Sequence, residues 1–153
     1  MLNVIAQIQV KATIVKNFTV QTAFIIDDSE VDLFVQKKFI ELRHFAGEVV
    51  TFNSPTQALE VLGSPTYKYT GGLVFLDLNM PLINGFEFLD KAREMSSGIF
   101  NRMKVVILSS SNSKADQERA MSFKNVITFI SKPLTIESLD SLRGLVAEGD
   151  PII

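Results

Sequence analysis

The chain of 153 residues contains no cysteine, no tryptophan and a single histidine. Without thiols, disulfide frameworks, thiolate zinc sites, iron–sulfur clusters and thiol catalysis are all excluded. One imidazole cannot furnish a histidine-rich metal site, and His44, between Arg43 and Phe45 at a helix end, reads as an ordinary surface residue. A large excess of charge is missing too: the net charge is -2 at pH 7, which speaks against nucleic acid binding by a general basic surface. The 12 phenylalanines are spaced as core material rather than as stacking platforms for bases. No apolar run approaches the roughly 20 residues that cross a bilayer. The N-terminus lacks the charged start and small-residue cleavage site of a secretory signal. A soluble, cytoplasmic protein with neither nucleic acid nor membrane as a partner is therefore expected.

What the chain does have is 46% apolar residues, arranged in short runs. A single domain of this size buries about 70% of the surface of its unfolded chain and needs no covalent staple. The runs at residues 23–26, 49–52, 73–78, 105–108 and 126–130 alternate with segments of helical period at 30–45, 54–62, 85–95, 113–121 and 136–147. That alternation predicts an α/β fold, a (βα)5 doubly wound parallel five-stranded sheet of flavodoxin-like order 2-1-3-4-5. In the first helical segment Val31, Phe34, Val35, Phe39, Ile40 and Leu42 recur at helix spacing, and Ser29 is placed to cap it. Residues 1–21 break the rhythm: Val4, Ala6, Ile8, Val10, Ala12 and Ile14 alternate at a period of two, which predicts a strand-like N-terminal extension to a domain spanning 22–153. Such a strand pairs either at a sheet edge or with a second copy of the chain, giving a homodimer.

In a doubly wound parallel sheet, ligands collect at the carboxyl ends of the strands. Asp27 and Asp28 follow the first run, Asp77 lies at the end of the third, Ser109, Ser110 and Ser111 follow the fourth, and Ser131, Lys132 and Pro133 follow the fifth. Three converging carboxylates repel one another, and a divalent cation resolves the repulsion. Oxygen ligands without histidine or cysteine favour Mg2+, or manganese, over zinc. A carboxylate beside such an ion, with the Lys132 ammonium and the Ser109 hydroxyl, can accept a phosphoryl group. There is no Walker-type loop, so the donor is another protein or a small acyl phosphate rather than a bound nucleotide.

The segments Ile25-Ile26-Asp27-Asp28-Ser29-Glu30, Leu76-Asp77-Leu78-Asn79-Met80-Pro81, Leu108-Ser109-Ser110 and Ser131-Lys132-Pro133 resemble, in order and at similar spacing, the four motifs of response-regulator receiver domains of two-component signalling. The resemblance spans residues 22 to about 148. It implies that Asp77 is the phosphoacceptor, that Asp28 binds magnesium directly and Asp27 largely through water, and that the backbone carbonyl of Asn79 is a further ligand. It likewise implies that Ser109 hydrogen-bonds the phosphoryl group, that Lys132 ion-pairs with it across a cis Lys132–Pro133 bond, and that Phe129 is the switching aromatic. The implied donor is a sensor histidine kinase or a phosphotransfer protein. The implied output is a downstream protein that binds the face from Ser113 to Ala147 after phosphorylation, in a stand-alone receiver with no enzymatic role beyond its own phosphorylation and dephosphorylation.

Three residues depart from the family pattern. Ser110 replaces a small Ala or Gly, Phe129 replaces a common Tyr and so has no phenol hydroxyl, and Leu134 replaces a frequent Phe. The segments 65–72 and 96–102 are long for the family. Other readings are a phosphate relay or sink without conformational output and a phosphate-independent binding module of the same fold. A haloacid-dehalogenase-like aspartyl-phosphate hydrolase wants an acid where Asn79 stands. A flavin protein wants a phosphate loop where Asp27 and Asp28 would repel it.

Overall fold

Neighbouring residues of the first apolar run face opposite ways: Phe24 and Ile26 enter one core, Ala23 and Ile25 the other. A strand buried on both sides requires a layer of helices on each face, and that is the architecture found. The structure, a computed structural model, describes residues 18–64 and 71–147. In order these form β1 (Val20–Ile26), α1 (Glu30–Leu42), β2 (Ala46–Phe52), α2 (Pro55–Gly63), β3 (Leu73–Leu76), α3 (Gly85–Arg93), a 3-10 turn (Phe100–Arg102), β4 (Lys104–Ser109), α4 (Lys114–Met121), β5 (Val126–Ser131) and α5 (Ile136–Ala147). All neighbouring strands are parallel, in the order β2-β1-β3-β4-β5. Helices α1 and α5 cover one face around Leu33, Ile40, Leu139 and Leu142. Helices α2, α3 and α4 cover the other around Leu62, Phe88, Leu89 and Ala120. The expected (βα)5 fold is thus observed. Among the described residues no helix is long and apolar enough to cross a membrane. The strand expected at residues 4–14 lies outside the described residues.

Boundaries shift for local reasons. β1 begins at Val20, inside the span read as an extension, because Thr19 and Val20 already donate to the Phe45 carbonyl. Helix α1 ends at Leu42 rather than 45, since His44 adopts a left-handed φ of 50° and turns the Phe45 ring inward, edge-on to Phe75. β3 stops at Leu76, and Leu78 and Met80 are buried from the loop instead. The long segment 96–102 carries the 3-10 turn that drives Phe100 into the core, with its ring edge-on to Phe88 at 5.7 Å.

The expected face of α1 is corrected in part: Ile40 is buried and Phe39 packs on the core, as expected. Its buried residues are Leu33, Gln36 and Ile40, whereas Val31 and Phe34 are 71% and 63% exposed and Leu42 also faces solvent. The helix is rotated so that polar Gln36 points inward, where its side-chain amide donates to Asp27 at 3.2 Å. A buried carboxylate and the apolar pair Leu33 and Ile40 together set the rotation.

The loop between β3 and α3 is fixed by close packing. Asn84 caps α3 reciprocally with Glu87, and the Gly85 amide donates to the Leu78 carbonyl at 2.9 Å. A Cβ at Gly85 would lie 2.7 Å from the Asp77 carbonyl oxygen and 2.8 Å from the Leu78 Cα, both backbone atoms. Gly85→Ala is expected to destabilise the protein by about 1–3 kcal/mol in urea unfolding, the usual range for overpacking. An unchanged midpoint would show that the loop yields freely.

Candidate functional site

The sheet register builds the site. Ile26 pairs with Leu76, so Asp27 and Asp77 leave adjacent strands side by side. Each is pinned by its backbone amide, Asp27 donating to the Phe52 carbonyl at 3.1 Å and Asp77 to that of Ile26 at 3.0 Å. Both side chains are buried, while Asp28, the next residue, is exposed. Carboxylate oxygens of Asp27, Asp28 and Asp77 lie within 4.8 Å of one another.

Lys132 closes the group from the far side. Ser109 and Ser131 are register partners on β4 and β5, and the Lys132 amide donates to the Ser109 carbonyl at 2.9 Å. The Lys132–Pro133 peptide is cis. The ammonium lies 2.8 Å from Asp27 Oδ2, 2.8 Å from Asp32 Oδ2 and 3.4 Å from Asp77 Oδ2. Asp27 also accepts from the Ser29 amide at 2.9 Å and from Gln36, so its carboxylate is held by three groups. That leaves Asp28 the more open of the pair.

Ser109 is fully buried, and its hydroxyl oxygen accepts from the Ser111 amide at 3.2 Å and the Asn79 side chain at 3.4 Å. Asn79 also donates its backbone amide to Asp77 Oδ1 at 3.2 Å. Ser111 in turn donates to Asp116 at 2.7 Å, and Ser113 caps α4. Phe129 lies apart from this cluster, half-buried on β5 opposite Ile107, and lines a cavity of about 340 Å³ with Ile130, Leu142 and Leu145.

The structure therefore brings together Asp27, Asp28, Asp77, Asn79, Ser109 and Lys132. It adds two residues that the sequence reading missed, Asp32 and Gln36. Their only signal is spacing: Asp32 and Gln36 are four apart on a helix that starts just after the acidic pair, and so share a face.

Burial raises the Asp77 carboxyl above its ordinary range, opposed by the Asn79 amide and the Lys132 charge and reinforced by Asp27. Burial alone would lower the Lys132 ammonium, but hydrogen bonds to Asp27 and Asp32 and the Asp77 charge outweigh it and raise its pKa. An all-oxygen donor set that includes a buried carboxylate suits a hard divalent cation.

Fold and rim together define a flavodoxin-type α/β domain with an acidic cluster, a lysine and a serine at its carboxyl edge. The chain belongs to the response regulator receiver domain family, whose model matches residues 23–142. It is similar to two-component response regulator ARR6 of Arabidopsis thaliana, 33% identical over 127 residues that make up 77% of this chain and 64% of that protein. The chain thus spans somewhat under two thirds of the length of that relative. A response regulator receiver protein from Dyadobacter fermentans superposes with a TM-score of 0.72 at 32% identity, over 82% of this chain and 94% of that one. The manganese-bound form of response regulator Rcp1 shares the fold with a TM-score of 0.65 at 18% identity, over 87% of this chain and 99% of that one. The chain is thus a receiver domain of the kind found in two-component response regulators.

A raised Asp77 carboxyl means that the folded state holds this proton more tightly than the unfolded chain does. Ionisation of Asp77 therefore weakens folding as pH rises. In metal-free buffer at pH 7, Asp77→Asn is expected to raise the Tm by a few degrees. The advantage should shrink as pH falls from the raised Asp77 value toward the ordinary carboxylate range and vanish below it. A Tm at or below that of the native protein at pH 7 contradicts this reading.

Proposed function

We propose that Asp77 accepts a phosphoryl group from a sensor histidine kinase or phosphotransfer protein in the cytoplasm, and that a partner protein reads the result. The observation that carries this is the placement of the Lys132 ammonium, 3.4 Å from Asp77, in a cluster that also holds Asp28 and Ser109. Asp27, Asp28, Asp77 and the Asn79 backbone carbonyl would hold Mg2+, Asp27 largely through water, since its oxygens already have three partners. When bound, the ion supplies positive charge against the phosphoryl oxygens.

The Asp77 carboxylate oxygen attacks the donor phosphorus in line, and the bond to the donor nitrogen or oxygen breaks as the acyl phosphate forms. Lys132 takes an ion pair with one phosphoryl oxygen, and the Ser109 hydroxyl turns to donate to another. Water later hydrolyses the acyl phosphate, and Ser110, exposed next to Ser109 in place of a smaller residue, alters the access of that water and hence the lifetime of the acyl phosphate. Movement of Ser109 is passed to α4 through Ser111, which bonds Asp116 in the first turn of that helix. Phe129 has apolar space beside it, and the face from Ser113 to Ala147 is the one presented to the downstream protein.

Incubation with acetyl phosphate should add one phosphoryl group by intact mass only when Mg2+ is present. Asp77→Asn should add none, and Asp28→Ala should bind Mg2+ roughly tenfold more weakly or worse. Equal labelling of Asp77→Asn removes the acceptor assignment. Hydrogen exchange with beryllofluoride, a phosphoryl mimic, should change between Ser113 and Ala147, whereas a pattern unchanged there leaves a phosphate relay or sink.

A further inference from the structure

Asp32 stands outside the set that the chemistry requires. Three carboxylates, a lysine and a serine suffice for acceptor, metal and charge neutralisation, yet a fourth carboxylate reaches the same ammonium. It is held there firmly: Asp32 is in the first turn of α1, and its amide donates to the capping Ser29 hydroxyl at 3.2 Å. Its Oδ2 lies 2.8 Å from Lys132 Nζ, as close as Asp27 and closer than Asp77 at 3.4 Å.

An ammonium has three N–H donors. In this arrangement one serves Asp27, one serves Asp32, and the third reaches Asp77 at the longest distance of the three. Asp27 does not depend on Lys132, since Ser29 and Gln36 also hold it. The Asp32 carboxylate has Lys132 as its hydrogen-bond and ion-pair partner among the described residues. Asp32 therefore draws on the same positive charge that a phosphoryl group on Asp77 needs, and adds a negative charge beside it.

We infer that Asp32 is a positioning residue that holds the Lys132 ammonium back from the phosphoryl position and thereby limits how tightly the site retains a phosphoryl group. This rests on the reading of Asp77 as phosphoacceptor. Neutralising Asp32 frees one N–H of Lys132 and removes one like charge, and both changes favour an anion on Asp77. The side chain is 41% exposed, so solvent screening keeps the effect modest.

The test measures the dissociation constant of beryllofluoride at saturating Mg2+ by calorimetry in the native protein, Asp32→Asn, Asp32→Ser and Asp32→Glu. Separately, 15N relaxation of the Lys132 ammonium is recorded in metal-free protein. Asp32→Asn and Asp32→Ser should bind beryllofluoride about three- to fivefold more tightly, the range of a partly exposed charge pair. Their Lys132 ammonium should become more mobile, whereas Asp32→Glu should return both quantities toward native values. A purely structural ion pair would instead lower the Tm and leave affinity unchanged or weaker, which overturns the inference. Equal tightening in Asp32→Glu also overturns it, because the charge would then be irrelevant. Failure of the native protein to bind beryllofluoride, or equal binding by Asp77→Asn, counts instead against the phosphoacceptor reading.

Discussion

Three carboxylates share one ammonium at the carboxyl edge of this sheet, with a fourth, Asp28, close by, and the architecture around them is arranged to make that tolerable. Asp27 and Asp77 are buried, and a buried carboxylate without partners is expelled or neutralised. Asp27 escapes that outcome through Lys132, Gln36 and the Ser29 amide. Asp77 has only the Asn79 amide and a longer approach to Lys132, and it is Asp77 whose carboxyl is pushed upward by burial. The asymmetry is chemically useful: the better-held acid is fixed in place, while the less satisfied one gains most from an arriving cation or covalent partner.

The sheet supplies the precision. Parallel register sets Ile26 beside Leu76 and Ser109 beside Ser131, so four chain segments cross the same edge at nearly the same height. Beyond the edge each segment turns under its own control, by a cap at Ser29, a capping box at Asn84, a glycine without room for a Cβ at Gly85, and a cap at Ser113. On the proposed function, this makes the β4–α4 turn the mobile part. Ser109, Ser111 and Asp116 form one hydrogen-bonded line from the acceptor to a helix whose only fully buried side chain is Ala120. A helix so lightly anchored has little packing to lose when it moves.

Much of this was legible in the amino-acid sequence, for a specific reason. Strands buried on both faces produce apolar runs that stand out, and the residues just after such runs are the rim, so Asp27, Asp28, Asp77, Ser109 and Lys132 could be read from position alone. The helices were harder. In α1 the apolar letters trace Val31, Phe34, Val35, Phe39, Ile40 and Leu42, and a rule that counts apolar periodicity follows them; of these only Ile40 is buried, with Phe39 partly buried against the core. The structure adds Leu33 and Gln36 to Ile40 on the inward face, because that face has to serve a carboxylate as well as a core. Asp32 and Gln36 escaped for the same reason: each is an ordinary polar residue until the helix rotation is known.

That rotation also explains why α1 carries an apolar surface outward. Asp32 and Gln36 are one turn apart, and both reach the rim, one through Lys132 and the other directly to Asp27. Turning the helix by a single residue, about 100°, would bury Val31 or Phe34 but withdraw both polar contacts at once. Burying one such side chain is worth about 1.5–3 kcal/mol. The same turn would draw Leu33 and Ile40 out of the core, which cancels that gain, while the contacts to Lys132 and Asp27 would be lost with nothing in return. The rim contacts and the Leu33–Ile40 face therefore set the rotation of α1 together, and the exposed Phe34, with the Lys38 ammonium 5.6 Å from its ring centre, is the visible consequence on the opposite side of the helix.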